Sequence, residues 1–107
     1  MGDLFNDYIA QLKNEGRLGY ALSVQQVHNS LLKFKGHLDI YFSEIDVNWL
    51  KTYESWLRRD KLADNTIGIR FRTLRAIYNL AITEGVVKAD LYPFKKFKVA
   101  KLHKETA

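Results

Sequence analysis

The sequence predicts an all-α fold, a compact bundle of four helices. Apolar residues recur every three or four positions in four separate segments, which is the spacing of a helix that buries one face. The single proline is Pro93, and the six glycines are scattered, so little interrupts the helical pattern. Residues 39–42 suit a short extended piece, but no second such run exists to pair with it. We therefore predict no sheet.

The first two helices are expected in residues 3–36. Segment one runs from about Asp3 to Glu15 and stops at Gly16, and residues 17–20 are expected to form a loop. Segment two opens at Ser23, because Ser23-Val24-Gln25-Gln26 has the pattern of a capping box, and ends at Gly36. The predicted core positions are Phe5, Tyr8, Ile9, Leu12, Val24, Val27, Leu31 and Phe34.

The third and fourth helices follow in residues 46–84. Segment three starts at Asp46, a good N-cap, and runs to about Arg59. Segment four runs from Asn65 or Thr66 to Glu84, with Gly85 at its stop. The predicted core positions are Val47, Leu50, Tyr53, Trp56, Leu57, Ile67, Phe71, Leu74, Ile77, Tyr78 and Ala81. We assign residues 1–90 to a helical domain and residues 91–107 to a basic linker.

Composition excludes several classes of site. The chain has no cysteine, which removes disulfides and thiolate metal sites, and His28, His37 and His103 lack metal-ligand spacing. No apolar run approaches the ~20 residues of a membrane span, and the sequence after Met1 does not read as a signal peptide. We expect a cytoplasmic protein that needs no cofactor or metal and does not associate with membranes.

Charge is distributed unevenly along the chain. Residues 1–64 carry eight Lys or Arg against nine Asp or Glu, and residues 65–107 carry nine against three, so the balance changes from −1 to +6. Such an asymmetry is expected of a protein that binds a polyanion. Ordinary solubilising charge is an equally open explanation at this point.

The face of segment four opposite its core stripe favours nucleic acid. This face comprises Asn65, Gly68, Arg72, Arg75, Ala76, Asn79 and Thr83, with no acid before Glu84. Arginine offers a planar donor fork to phosphate or guanine, and asparagine can pair with adenine. A glycine inside a helix costs about 1 kcal/mol relative to alanine, and Gly68 would let a phosphate backbone approach closely. A solvated face with an incidental glycine is the alternative.

Segment two and the C-terminal tail carry similar residues. Gln26, Asn29, Ser30 and Lys33 are neutral or basic hydrogen-bonding groups on the polar face of segment two. The lysines of this tail, the chain beyond Gly85, have two explanations. They either contact DNA phosphates on the way to another domain or only keep a frayed terminus soluble. Phe94, Phe97 and Val99 indicate that part of the tail packs.

Several short runs follow one another along the chain in a distinctive order and spacing: Ser23 with Val27, Leu31 and Phe34, then Ser43-Glu44-Ile45-Asp46, Leu50 to Leu57, Asn65-Thr66-Ile67, Leu74-Arg75-Ala76-Ile77, and Ala81 to Gly85. Together they resemble the core-binding domain of tyrosine recombinases, the SAM-like helical bundle that precedes the catalytic domain of phage-type integrases. The Tyr92-Pro93-Phe94 that follows is similar to the family's exit toward that domain, commonly Asn-Pro-Phe, with Tyr92 in place of the Asn.

The resemblance implies a DNA clamp, with this domain on one face of the recombination site and the catalytic domain on the other. The second and fourth helices of the family point at the major groove of double-stranded DNA, and the full-length proteins also contact other recombinase protomers. By position, the implied contacts are Ser23, Gln26, Ser30, Thr66, Arg72 and Thr73. The helix faces add Asn29, Lys33, Arg75 and Asn79. Gly68 falls where some relatives carry a basic residue.

The resemblance also implies that catalysis resides elsewhere. The family's His-x-x-Arg motif is missing from this chain, and Tyr8, Tyr53 and Tyr78 fall on predicted apolar faces. We therefore expect a DNA-binding domain that is not itself an enzyme, from a parent recombinase of a mobile element. Two other hypotheses stay open: a free-standing helical DNA-binding adaptor, and a SAM-like domain that binds proteins.

Overall fold

Four α-helices and three 3₁₀ turns make up the regular structure of the described residues. The structure is a computed structural model, and it describes residues 1–37, 39–95 and 97. The helices are α1 (Gly2–Asn14), α2 (Leu18–Lys35), α3 (Val47–Arg59) and α4 (Asp64–Thr83), and the 3₁₀ turns are Phe42–Glu44, Ala89–Leu91 and Pro93–Lys95. No strand occurs in the described residues. The predicted all-α fold with four helices is confirmed.

The chain divides into two units, residues 1–41 with α1 and α2, and residues 42–107 with α3 and α4. In the first unit α1 packs against α2. The Phe5 ring meets the His28 imidazole edge to face, with 5.8 Å between their centroids. His28 therefore has a packing partner in the core of its own unit. The buried residues of the two helices are Phe5, Ile9, Leu12, Ala21, Val24, Val27 and Leu31.

Helix α2 begins at Leu18, so the predicted capping box at Ser23 and the loop at residues 17–20 are wrong. The Ser23 hydroxyl lies inside the helix and donates to the Gly19 carbonyl at 3.5 Å. The early turn is stabilised by packing, since the Tyr20 ring meets the Tyr8 ring edge to face and Ala21 is 2% exposed. These contacts offset the ~1 kcal/mol that a helical glycine costs.

The other helix ends agree with the sequence to within about a residue. Asp46 is the N-cap of α3, and its carboxylate accepts a hydrogen bond from the Trp49 amide at 2.8 Å. Gly36 ends α2 with a φ of 83°, a left-handed conformation that glycine adopts without steric cost. Helix α4 starts at Asp64, one or two residues before the predicted start at Asn65 or Thr66, and no side chain caps it.

Aromatic side chains hold the second unit together beyond the end of α4. The centroids of the Tyr53 and Phe71 rings lie 5.4 Å apart, and the centroid of the Phe97 ring lies 5.0 Å from that of Phe71. Phe94 and Phe97 are 6% and 7% exposed. Packing therefore continues past residue 90 into the predicted linker, as far as Phe97. The rest of that linker, Lys96 and residues 98–107, lies outside the described residues.

Candidate nucleic-acid interface

The predicted contact residues of α2 share one exposed stripe. Gln26, Asn29 and Lys33 are exposed, and they follow each other by three or four residues, which places them on one side of the helix. Ser23 and Ser30 are half-buried at one edge of this stripe. No acidic residue occurs anywhere in Leu18–Lys35. This helix therefore presents hydrogen-bonding groups and positive charge, with no carboxylate of its own to repel an anion.

A small hydrogen-bond network orients the middle of this stripe. The Gln25 amide group donates to the Asn29 side-chain oxygen at 3.1 Å, and the same group lies 3.3 Å from the His28 Nδ1 atom. His28 in turn packs on Phe5 of α1, so the network is fixed to the core of the unit. The Asn29 carboxamide is thereby held in one orientation, which lowers the entropy it would lose on binding a base edge.

Helix α4 exposes Arg72 and Asn79 and keeps Thr66 and Arg75 half-buried. Arg72 and Asn79 are seven residues apart, two turns along the same side of the helix. Thr83 extends this side, because it is exposed and follows Asn79 by one turn; its hydroxyl donates to the Asn79 carbonyl at 3.2 Å. The exposed side of α4 therefore offers a guanidinium, a carboxamide and a hydroxyl in sequence along its length.

Two residues expected on this surface are buried instead. Thr73, predicted to contact DNA, is 4% exposed and therefore enclosed by the protein. It follows Arg72 by about 100° around the helix, and this rotation carries it to the packed side. Gly68 is also buried, which corrects its assignment to the outer face.

The acidic residue of α4 is paired with a basic residue. Arg58 of α3 binds Asp64 at 2.7 Å and Glu54 at 2.9 Å. These hydrogen bonds raise the pKa of Arg58, and the bond to Asp64 contributes more than the bond to Glu54. Within the described part of the chain, neither Arg72 nor Arg75 takes part in an ion pair. No carboxylate of the described residues therefore neutralises the guanidinium of Arg72 or that of Arg75.

Sequence reasoning missed two apolar members of the exposed stripes. Leu22 is 62% exposed and lies one turn before Gln26 on α2, and Ile69 is 38% exposed and lies just before Arg72 on α4. Neither residue falls at a predicted core position, and this was the signal that the sequence offered for their exposure. Leu18, 63% exposed, adds a second leucine at the start of α2.

Other kinds of site find no support in the described residues. No group of three or more His, Cys, Asp or Glu comes together to hold a metal ion within residues 1–37, 39–95 and 97. Helices long and apolar enough to cross a membrane do not occur in the same part of the chain. Of the three tyrosines predicted to be core residues, Tyr53 and Tyr78 are 0% exposed, whereas Tyr8 is only half-buried.

The described residues form an all-α domain in which α2 and α4 each carry an acid-poor face of basic and amide side chains. The chain belongs to the phage integrase SAM-like domain family, whose model matches residues 1–99. This match confirms the resemblance seen in the sequence. No curated protein and no solved structure matches the chain significantly.

Proposed function

We propose that this chain is the DNA-binding domain of a site-specific tyrosine recombinase of the phage-integrase type. In the parent protein it clamps the recombination core site against a catalytic domain during DNA integration and recombination. Membership of the phage integrase SAM-like domain family supports this proposal at the level of the family. The helix faces support it at the level of chemistry.

The observation that carries the proposal is that Arg72 and Arg75 of α4 are accessible and carry unneutralised charge. Arg72 is exposed and Arg75 half-exposed, and no ion pair within the described residues engages either of them. The acid of the same helix, Asp64, is already bound to Arg58. Guanidinium groups bind phosphates bidentately and read guanine in the major groove, and both interactions require donors that no carboxylate occupies.

Helix α2 contributes the complementary set of contacts. Gln26 and Asn29 carry carboxamides that pair with adenine through its N6 and N7 atoms, and Lys33 supplies charge to a phosphate. Ser23 and Ser30 lie at the edge of this stripe and fit contacts to the sugar–phosphate backbone. Thr66, Arg72, Arg75 and Asn79 are the corresponding residues of α4, and Thr73 is left out because it is buried.

The salt dependence of binding to duplex DNA tests the proposal. Neutralising ~4–6 phosphates gives a log–log slope of about −4 to −5, because each phosphate releases condensed counterions. We expect weak binding at low ionic strength with this slope, measured by fluorescence anisotropy on a labelled duplex. Binding that is undetectable at low salt, or that does not change with salt, contradicts the proposal.

The parent assignment has a separate test in the gene. A tyrosine recombinase continues, after a domain of this kind, into a His-x-x-Arg motif and a late nucleophilic tyrosine. Finding these in the same reading frame supports the recombinase over a free-standing adaptor that only shares the fold. A frame without them, in a chain that still binds DNA with the expected slope, favours the adaptor.

A further inference from the structure

Helix α2 places a large apolar side chain in line with its polar contact residues. Leu22 is 62% exposed and precedes Gln26 by one turn. With ~100° per residue, Leu22, Gln26, Asn29 and Lys33 all fall within about 40° of one direction around the helix. Leu18, one turn earlier, is 63% exposed. The stripe therefore begins with two leucines and continues with amides and a lysine.

The rest of the helix indicates what kind of partner covers these leucines. Helix α2 carries basic residues in its last turn, Lys33 and Lys35, and no acidic residue. A partner that lies along the whole stripe meets positive charge and amide groups as well as the leucines, so charge complementarity favours an anion. Duplex DNA combines negative charge, base edges that pair with amides, and an apolar group in the major groove, the C5-methyl of thymine.

We propose that Leu22 contacts the C5-methyl groups of thymines in the major groove and gives the domain a preference for thymine. This inference rests on the proposed DNA-binding function, and it adds a specificity-determining residue to it. Leu22 lies one turn from Gln26, so the two side chains reach neighbouring base pairs. Gln26 then pairs with an adenine edge next to the thymine that Leu22 contacts.

The test compares two duplexes that differ only in the methyl group. One is an alternating dA–dT duplex, and the other is the same duplex with deoxyuridine in place of thymidine. Burial of a methyl-sized group is worth ~0.8 kcal/mol, so we expect the chain to bind the thymine duplex about fourfold more tightly. Leu22→Ala should bind both duplexes equally, whereas Leu22→Met, which keeps an apolar side chain, should keep the preference.

A matched control separates Leu22 from general effects of the helix or of the DNA. Leu32 is also on α2 and is 42% exposed, but it lies about 80° around the helix from Leu22. Leu32→Ala should keep the fourfold preference. Circular dichroism should show the helix content of the original chain in every variant, since the substituted side chains are exposed.

The outcomes distinguish this inference from the function on which it rests. If the chain binds both duplexes equally with the expected salt slope, thymine reading by Leu22 is wrong and the DNA-binding function stands. A preference that persists in Leu22→Ala assigns the methyl contact to another residue and also overturns the inference. If neither duplex binds at low salt and the chain instead self-associates through Leu22, both proposals fail and a second copy is the partner.

Discussion

The phenolic hydroxyl of Tyr78 donates a hydrogen bond to the backbone carbonyl of Leu91 at 3.1 Å. Tyr78 lies on the buried side of α4, and Leu91 ends the 3₁₀ turn that follows the helix. The same ring packs edge to face against Phe42 and Phe94, at centroid distances of 5.5 and 6.0 Å. One side chain thus connects α4 with the turn before α3 and with the segment that leaves α4.

Replacing Tyr78 by Phe should lower the free energy of unfolding by ~1 kcal/mol at neutral pH. The variant keeps the aromatic packing but leaves the Leu91 carbonyl without this donor, and a net hydrogen bond is worth about that much. Urea denaturation at pH 7 measures the effect. A change below a few tenths of a kcal/mol would show that water replaces the tyrosine hydroxyl at no cost.

Tyr78→Phe should also change how the free energy of unfolding depends on pH in alkaline solution. Burial raises the pKa of Tyr78 above its ordinary value of 10.0, so the folded protein holds the phenolic proton more tightly than the unfolded chain does. The resulting stability is complete below pH 10 and is lost as the pH rises through the folded value. Tyr78→Phe has no such proton, so its deficit in unfolding free energy relative to the original chain should shrink as the pH rises above 10. A constant deficit over that range would falsify this assignment.

Charge reversal should separate the proposed interface from the rest of the basic surface. Arg72→Glu with Arg75→Glu should reduce DNA affinity by about 1 kcal/mol or more per residue. The melting temperature should hardly change, because substitutions on an accessible helix surface usually cost within ~0.5 kcal/mol. Anisotropy titrations at fixed salt and thermal melts provide the two measurements.

The matched control for charge is Lys51→Glu with Arg59→Glu on α3. Both residues are exposed, and the change in net charge is the same. This pair should weaken binding much less, because its residues do not lie on the proposed contact helices. Lys95→Glu with Lys96→Glu in the tail should also cost less than the α4 pair. Equal losses in the α4 and α3 pairs mean that only net charge matters, and a dominant tail pair removes α4 from the interface.

Two substitutions at predicted caps should differ in their effect on the free energy of unfolding. Asp46→Ala removes the acceptor of the Trp49 amide and should destabilise the protein by about 1 kcal/mol, the usual cost of a lost N-cap. Ser23→Ala should change stability by less than ~0.5 kcal/mol, because Ser23 lies inside α2 and caps nothing. Denaturation of the two variants side by side is the measurement. A loss of ~1 kcal/mol at Ser23 would restore the capping box.

The segment after α4 should behave as part of the core. Phe97→Ala removes a ring that lies 5.0 Å from Phe71 and should cost about 3 kcal/mol or more. Leu91→Ala in the same segment is the control, since the Leu91 side chain is 48% exposed and its carbonyl survives the change. That control should stay within ~0.5 kcal/mol. If both variants melt like the original chain, residues 91–97 add nothing to stability.

The chain should form no covalent link to DNA. Incubation with a nicked substrate that traps a phosphotyrosine should give no adduct on denaturing gels, with or without added metal. Two of the six tyrosines, Tyr53 and Tyr78, are fully buried and cannot reach a phosphate without unfolding. An adduct on any tyrosine would show that catalysis resides in this domain.

The sequence predicted best where one local signal decides the structure. Asp46 caps α3 because a carboxylate just before a helix accepts hydrogen bonds from the free backbone amides of the first turn. Gly36 ends α2 because its left-handed conformation strains other residues. The apolar stripes of α1, α3 and α4 were likewise readable, since a period of 3.6 residues is a property of the chain itself.

Tertiary contacts explain what the sequence did not reveal. Gly19 reads as a loop residue, yet the first turn of α2 forms because Tyr20 and Ala21 find partners in their own unit. Gly68 and Thr73 lie at the two edges of the exposed stripe of α4, where periodicity does not show how far the packed side extends. Among the contact residues, those near the centre of each stripe, such as Gln26 and Arg72, are exposed as expected. The edge residues Ser23, Ser30, Thr66 and Arg75 are half-buried.

The aromatic packing of residues 92–97 limits how far the lysines of the tail can travel. A chain spans at most ~3.3–3.6 Å per residue, so Lys101 could lie about 35 Å from Leu91 if the chain were extended from there. Phe97 is buried, however, and Lys101 follows it by only four residues. Lys101 then stays within about 15 Å of Phe97. A duplex held on the exposed side of α4 could therefore meet these lysines only on the few base pairs nearest the end of the packed segment.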